Sequence, residues 1–310
     1  MKALLLRVAL ALPTVVGVLT LVFFFIHMIP GDPVDVMLGE TATVADRDRL
    51  RASLGLDLPL WRQYATFLAR SLHGDFGRSL ADGTPALALV LSRLPATLAL
   101  AAAAGAMALV VAVPLGVLSA RHRGRWIDGA AMAFALLGAS LPNFFLGPLL
   151  VLVFSVELGW FPVSGAGSAS SLVLPAVTLG LGMSSILTRL TRAAVLDALG
   201  ADYIRTARAK GASEATVFLR HALRSALLPL TTIFGLQLGG LLGGAIITET
   251  IFAWPGIGRL TLQAINGRDY PLVQACVLVI ALGYVLANLV TDLVYQRLDP
   301  RVRLERGETP

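Results

Sequence analysis

Six stretches of this chain run for at least 22 positions without a charged residue: 8–31, 94–120, 129–156, 158–188, 225–248 and 270–291. An uncharged apolar run becomes long enough to cross a bilayer at roughly 18 residues. Inside a bilayer the backbone has no water to bond, and a helix satisfies its own polar groups within one segment. The chain is therefore expected to be an all-α membrane protein. Composition agrees, with 56% apolar and only 14% charged residues, where an ordinary domain carries about a quarter. A soluble domain of this size would lack the polar surface to cover its core, which excludes a soluble enzyme. One cysteine, Cys276, excludes an internal disulfide or a cysteine-based metal cluster.

Each stretch has its own reading. Lys2 and Arg7 precede an apolar run that continues into Pro30-Gly31-Asp32-Pro33 without a small-residue cleavage site. A retained first span over 1–30 is expected rather than a cleaved signal. In 158–188 the Trp160-Phe161-Pro162 opening and the Gly/Ser-rich run to Ser171 predict a loop, leaving a span from about 172 to 188. The excess length of 94–120 and 129–156 can be absorbed by tilt or by kinks at Pro114, Pro142 and Pro148. The expected count is six spans.

An even count places both termini on one side. Of the 25 Lys and Arg residues, 16 fall on the side of the N-terminus, seven in the long segment 31–93, and only Arg259 and Arg268 in the short opposite loops. Short-loop Lys and Arg mark the cytoplasmic face, so both termini are expected in the cytoplasm. The net charge of +6 is then a signal of sidedness, and nucleic-acid binding is not expected. Trp126, Trp160 and Trp254 fall at predicted span ends, where tryptophans anchor at the membrane interface.

Two segments outside the membrane carry pattern. In 31–93, Leu60, Trp61, Tyr64, Phe67, Leu68 and Leu72 recur at helical spacing. Asp57 is expected to cap that helix, with Pro59 in its first turn and Gly74 at its end. A shorter amphipathic piece over 44–54 ends at Gly55. The segment reads as a helical lid on the outer face or as a platform for an extracytoplasmic partner. The cytoplasmic segment 189–224 predicts a helix capped by Asp202 and running through Lys210, a left-handed turn at Gly211, and a second helix capped by Ser213 with Glu214 in its first turn. Lipid attraction alone does not require a capped helix broken at one glycine.

That segment, Asp202-Tyr203-Ile204-Arg205-Thr206-Ala207-Arg208-Ala209-Lys210-Gly211 followed by His221-Ala222-Leu223-Arg224-Ser225-Ala226-Leu227-Leu228-Pro229, resembles the cytoplasmic signature of binding-protein-dependent ABC importer permeases. The resemblance is to the first permease of dipeptide, oligopeptide, glutathione and nickel importers. Arg205-Thr206-Ala207 stand where the general signature has Glu-Ala-Ala, Gly211 matches, and Leu223-Arg224 replaces Leu-Pro. The acidic contact of the general signature is therefore not carried over. Pro30-Gly31-Asp32-Pro33, Arg93-Leu94-Pro95-Ala96-Thr97-Leu98, Glu249-Thr250-Ile251-Phe252-Ala253-Trp254-Pro255-Gly256, Arg268-Asp269-Tyr270-Pro271 and Asp299-Pro300-Arg301 extend the resemblance over essentially the full length.

The resemblance implies a type I ABC importer permease fold in the bacterial inner membrane. Its parts would be the first span (1–30), an extracytoplasmic helical segment (31–93), a five-helix core (94–297) with the coupling loop 189–224, and a cytoplasmic tail (298–310). It implies a second permease subunit, two cytoplasmic ATPase subunits, an extracytoplasmic solute-binding protein and contact with membrane lipid. No cofactor would be bound by this chain; ATP and Mg would be used by the ATPases. Asp202, Tyr203, Arg205, Thr206, Ala207, Arg208, Lys210 and Gly211 would couple the permease to an ATPase. The chain has no phosphate-binding loop of its own: its two lysines, Lys2 and Lys210, lack the Gly-x4-Gly-Lys-Ser/Thr setting. No catalytic residue is expected. Short peptides are the expected cargo, with nickel or another small solute as the alternative.

Gly235, Gly239 and Gly243 repeat every four residues in 225–248. Small residues at that spacing let helices approach closely; a smooth solute path is the other reading. His27 reads as an interfacial residue or a path-lining one. Glu249 and Asp292 fall near span ends, where water, a helix partner or a headgroup can satisfy them. An ion-coupled transporter usually keeps ionisable groups deep in its bundle, and here charges border the apolar stretches.

Overall fold

The computed structural model of the chain describes residues 2–28, 34, 38, 43–53 and 55–298. The Pro30–Pro33 and Asp299–Arg301 fragments and nearly all of the 298–310 tail lie outside them. In chain order the helices are α1 (Lys2–Met28), α2 (Val44–Ser53), α3 (Leu60–Leu72), α4 (Ala86–Arg121), α5 (Trp126–Ser140), α6 (Asn143–Leu150), α7 (Val173–Leu199), α8 (Asp202–Ala209), α9 (Leu223–Gly244), α10 (Ile246–Ile251), α11 (Ile257–Asn266) and α12 (Tyr270–Leu298). A π-helical stretch, Val151–Glu157, extends α6, and a 3₁₀ turn, Ala169–Leu172, precedes α7. Glu214–Thr216 and the π-helical Val217–Ala222 lead directly into α9.

Four helical runs are long and apolar enough to cross a membrane: Ala86–Arg121, Ala169–Leu199, Glu214–Leu242 and Tyr270–Tyr295. Pro13–Phe25 of α1 is a shorter apolar helix. The continuous span expected over 129–156 is instead α5 and the extended α6, meeting at 103°. The pair makes a fifth crossing if it counts as one span. The break has a local cause. A residue before proline is driven out of the helical region, and Leu141, ahead of Pro142, is extended at φ −87° and ψ 113°.

The chain forms two compact units. One comprises residues 1–97 and 255–285. Its core joins α1, α11, α12 and the start of α4 through Leu19, Val90, Ile257, Leu260, Leu272 and Cys276. The apolar stripe of α3 lies on α1, where Tyr64 and Thr20 hydroxyls meet at 2.7 Å and Phe23 stacks with Phe67 at 5.6 Å. His27 joins the same two helices. One ring nitrogen lies 2.7 Å from the Phe23 carbonyl and the other 3.2 Å from Gln63 Oε1. Asp57 does not cap α3: Pro59 holds the cap position, and no side chain bonds the free amides there. The expected turns at Gly55 and Gly74 are present, both with positive φ. Asp269, buried in this unit, accepts from Ser79 Oγ at 2.5 Å, Leu80 N at 2.9 Å and Leu272 N at 3.2 Å. These three donors replace the water its carboxylate has lost.

The second unit comprises residues 98–254 and 286–310. Its centre is α7, packed by α5 and α9. Small residues permit close approach: a side chain at Gly138 of α5 would lie 3.3 Å from the Leu181 carbonyl oxygen of α7, and one at Gly180 of α7 would lie 2.9 Å from the Ala104 carbonyl oxygen of α4. Thr178, Thr188 and Thr191 are buried, and each donates its hydroxyl to the carbonyl four residues back. Hydroxyls satisfied within their own helix can face an apolar neighbour at little cost. Trp126 and Trp160 are exposed, as interfacial anchors should be, but Trp254 is buried in the protein interior.

Candidate functional site

Helix α7 stays helical to Leu199, well past the expected end of its span near 188. Gly200 and Ala201 close it, and Ala201 turns extended, at φ −77° and ψ 149°, to become the cap of α8. The capping role expected of Asp202 is therefore corrected by one position. Asp202 is the first helical residue; its carboxylate faces the positive helix end and pairs with Arg205 at 3.4 Å.

The other end of α8 closes as the sequence predicts. Gly211 has φ +83°. Its amide bonds the Arg208 carbonyl at 2.9 Å, and the Ala212 amide bonds that of Ala207 at 3.1 Å. These two bonds are the reciprocal pair of a glycine-terminated helix. Ser213 then caps the next helical turn, accepting from Thr216 N at 3.4 Å.

Three contacts hold α8 in place. Ile204 is fully buried, on a helix that packs against the π-helical stretch Val217–Ala222. Tyr203 and Ser225 hydroxyls meet at 2.9 Å. Arg208 forks onto both Glu214 oxygens at 2.7 and 3.1 Å. Asp202, Arg205, Thr206, Arg208 and Lys210 are exposed and Ala207 is half-buried. The result is a short, stiffly mounted helix with a polar, mostly basic outer face.

Ile204 belongs to the quoted motif but not to the expected coupling set. Its signal was legible: with Ala207 three residues on, it makes the only apolar edge of a polar helix.

A second constellation carried no local signal. The Asp128 carboxylate receives Arg192 Nε at 2.7 Å and Nη2 at 2.8 Å, Ser119 Oγ at 2.5 Å, and Gly124 N at 2.9 Å. One carboxylate thus ties the end of α4, the following turn and the start of α5 to α7. Ala120 and Val195, close in sequence to Ser119 and Arg192, form a core of small side chains with Ala198, Ala222 and Ala226. Asp128 stood out only as the one acid in the short basic connection that follows Ala120.

The first glycine of the repeat is part of a helix contact. Gly235 and Gly239 are buried, while Gly240 is exposed. A side chain at Gly235 would collide with the Thr291 side chain of α12, so the two helices touch there with no room for a methyl group. Gly243 lies in α9, with its surroundings outside the described residues. Glu249 is completely buried in α10; the side chain of Asp292 is outside the described residues.

Comparison with known proteins bears on the whole chain. The family described as the binding-protein-dependent transport system inner membrane component matches residues 112–304, and the N-terminal domain of such components matches residues 1–101. The glutathione transport system permease protein GsiC of Escherichia coli strain K12 is 43% identical over 292 residues, covering 94% of this chain and 95% of that one. GsiC of Shigella dysenteriae serotype 1 matches equally. Among solved structures, an inward-facing MetNI methionine ABC transporter superposes with a TM-score of 0.57 at 21% identity, over 68% of this chain and 96% of that one. An amino acid ABC transporter gives 0.52 at 16% identity, over 67% and 94%. These two likenesses establish a common fold. With an all-helical architecture and several membrane-length apolar helices, the chain belongs to the inner membrane components of binding-protein-dependent transport systems, as a multi-pass permease subunit of an ABC importer.

Proposed function

We propose that this permease forms, with a second permease subunit, the pathway for short peptides, including glutathione, handed over by an extracytoplasmic binding protein. The observation that carries the reading is the 43% identity with a glutathione transport permease over 94% of the chain. In this reading both termini and the α8 segment face the cytoplasm. The outer face of α8, with Asp202, Tyr203, Arg205, Thr206, Ala207, Arg208, Lys210 and Gly211, meets an ATPase subunit that holds the ATP and Mg. A nucleotide can shift the permease between states only through a contact that differs between them. The buried Ile204 and the Tyr203–Ser225 and Arg208–Glu214 contacts support such a contact, because they let α8 move as a rigid body with α9. The buried glycines at 235 and 239 support a close helix seam in the core, beside which the pathway would run.

The test is the reconstituted complex of both permeases, ATPases and binding protein in liposomes, given ATP and labelled dipeptide, glutathione or nickel. Peptide or glutathione uptake is the expected result. Nickel accumulation without peptide uptake would overturn the cargo. In the same preparation Gly211→Val should lower transport and substrate-stimulated ATP hydrolysis at unchanged membrane insertion, because nothing crowds the position and the strain is confined to its left-handed backbone. Normal coupled transport by that variant would remove α8 from the mechanism.

A further inference from the structure

Where α8 meets the base of α9, an open hollow of about 410 Å³ is lined by Tyr203, Arg220, His221, Arg224 and Ser225. Its lining holds two guanidinium groups, an imidazole and two hydroxyls, and no carboxylate. The nearby acids are spoken for: Asp202 pairs with Arg205, and Glu214 is taken by both arms of Arg208. Among the described residues, neither Arg220 nor Arg224 has an acidic partner. The two arginines stand four positions apart, where like charges on a helix repel. The π-helical stretch Val217–Ala222, which carries Arg220 and His221, is the kind of irregularity that recurs at functional sites.

We propose that this hollow is a phosphate-binding site, filled in the membrane by the headgroup phosphate of an anionic phospholipid. Guanidinium forks match phosphate oxygens, and of the bonded Tyr203–Ser225 hydroxyl pair the one whose hydrogen is not spent in that bond can add a donor. Depth selects the lipid as source. The uncharged stretch 225–248 begins at the residue after Arg224, so this arginine sits where an apolar helix leaves the hydrocarbon and meets headgroups. A phosphate held there would touch both α8, through Tyr203, and the start of α9, and would stiffen the joint between them. That consequence for coupling rests on the function proposed above; the binding site does not.

The full-length permease, purified in detergent, is titrated with short-chain phosphatidylglycerol, phosphatidylcholine of the same chain length, and inorganic phosphate. Saturable binding of phosphatidylglycerol in preference to phosphatidylcholine is expected. Arg220→Gln and Arg224→Gln should each weaken it about five-fold, and together about twenty-five-fold, from roughly one headgroup interaction per arginine. The Arg220→Lys, Arg224→Lys double variant keeps the charge but not the fork and should bind between the parent and the glutamine double variant, which separates loss of the site from loss of the fold. Inorganic phosphate competing as well as the lipid would overturn the lipid source and leave a dissolved phosphate as the ligand. Equal binding of both lipids, or glutamine variants indistinguishable from the parent, would overturn the site. So would protection of an Arg224→Cys thiol by the ATPase subunit in lipid-free complex, since protein would then fill the hollow. None of these readouts involves transport, so their failure is separate from a failure of the importer reading.

Discussion

At the scale of single residues, the glycines separate what local chemistry dictates from what packing dictates. Gly211 was legible because a helix end followed by a polar restart needs a left-handed residue, and φ +83° is a property of that residue alone. The cap was misplaced by one position because it depends on where α7 stops, and α7 runs eleven residues beyond the uncharged stretch that ends at 188. The Gly235 and Gly240 pair could not be ranked from sequence, since both sit in the same apolar run. The structure ranks them. Gly235→Ala drives a methyl group into Thr291, whose hydroxyl is itself bonded to the Ala287 carbonyl. It should cost about 2 kcal/mol, as overpacking does, and Thr291→Ala should partly relieve it. Gly240 has open space around it, so Gly240→Ala should be neutral or stabilise by up to about 1 kcal/mol. Thermal unfolding of the purified variants in detergent compares them; equal effects at the two positions would show that Gly235 is not a packing residue.

At the scale of elements, most helices were readable because hydropathy blocks and helical period are continuous along the chain. Their junctions were less so. Pro142 was expected to kink one span and instead divides it at 103°, because an extended Leu141 ends α5 before the proline starts α6. The Asp128–Arg192 clamp was unreadable for another reason: its partners lie 64 residues apart, and no local pattern pairs them. Its energetics are testable. Removing one member of a buried ion pair strands the other charge, at about 3–5 kcal/mol, whereas replacing both by apolar groups is often tolerated. Arg192→Leu alone should therefore destabilise the permease strongly, and Asp128→Leu with Arg192→Leu should recover much of the loss. Arg192→Lys should fall between, since an ammonium cannot fork onto both carboxylate oxygens. A double-mutant cycle on unfolding temperature checks this; additive single effects would mean that the clamp does not bind α5 to α7.

At the scale of the whole molecule, class and family follow from the sequence because a membrane leaves so few solutions for a backbone. Sidedness is a further step, and it rests on 16 Lys and Arg residues against two in short loops. The positions to test it follow from the structure. Ser164 is exposed in the loop between the extended α6 and α7, and Ala215 is exposed just after the Ser213 cap, so neither substitution disturbs a buried contact. Cys276 is completely buried and is replaced by serine to leave no background thiol. With one cysteine at either site, an impermeant thiol reagent added to intact cells should label Ser164→Cys and spare Ala215→Cys, while opening the cells should expose both. The reverse pattern would invert the membrane orientation and place α8 where no ATPase could reach it. Labelling of both sites in intact cells would mean an even number of crossings between them, or none, and would show that the run Ala169–Leu199 is not a simple span despite its length and hydropathy.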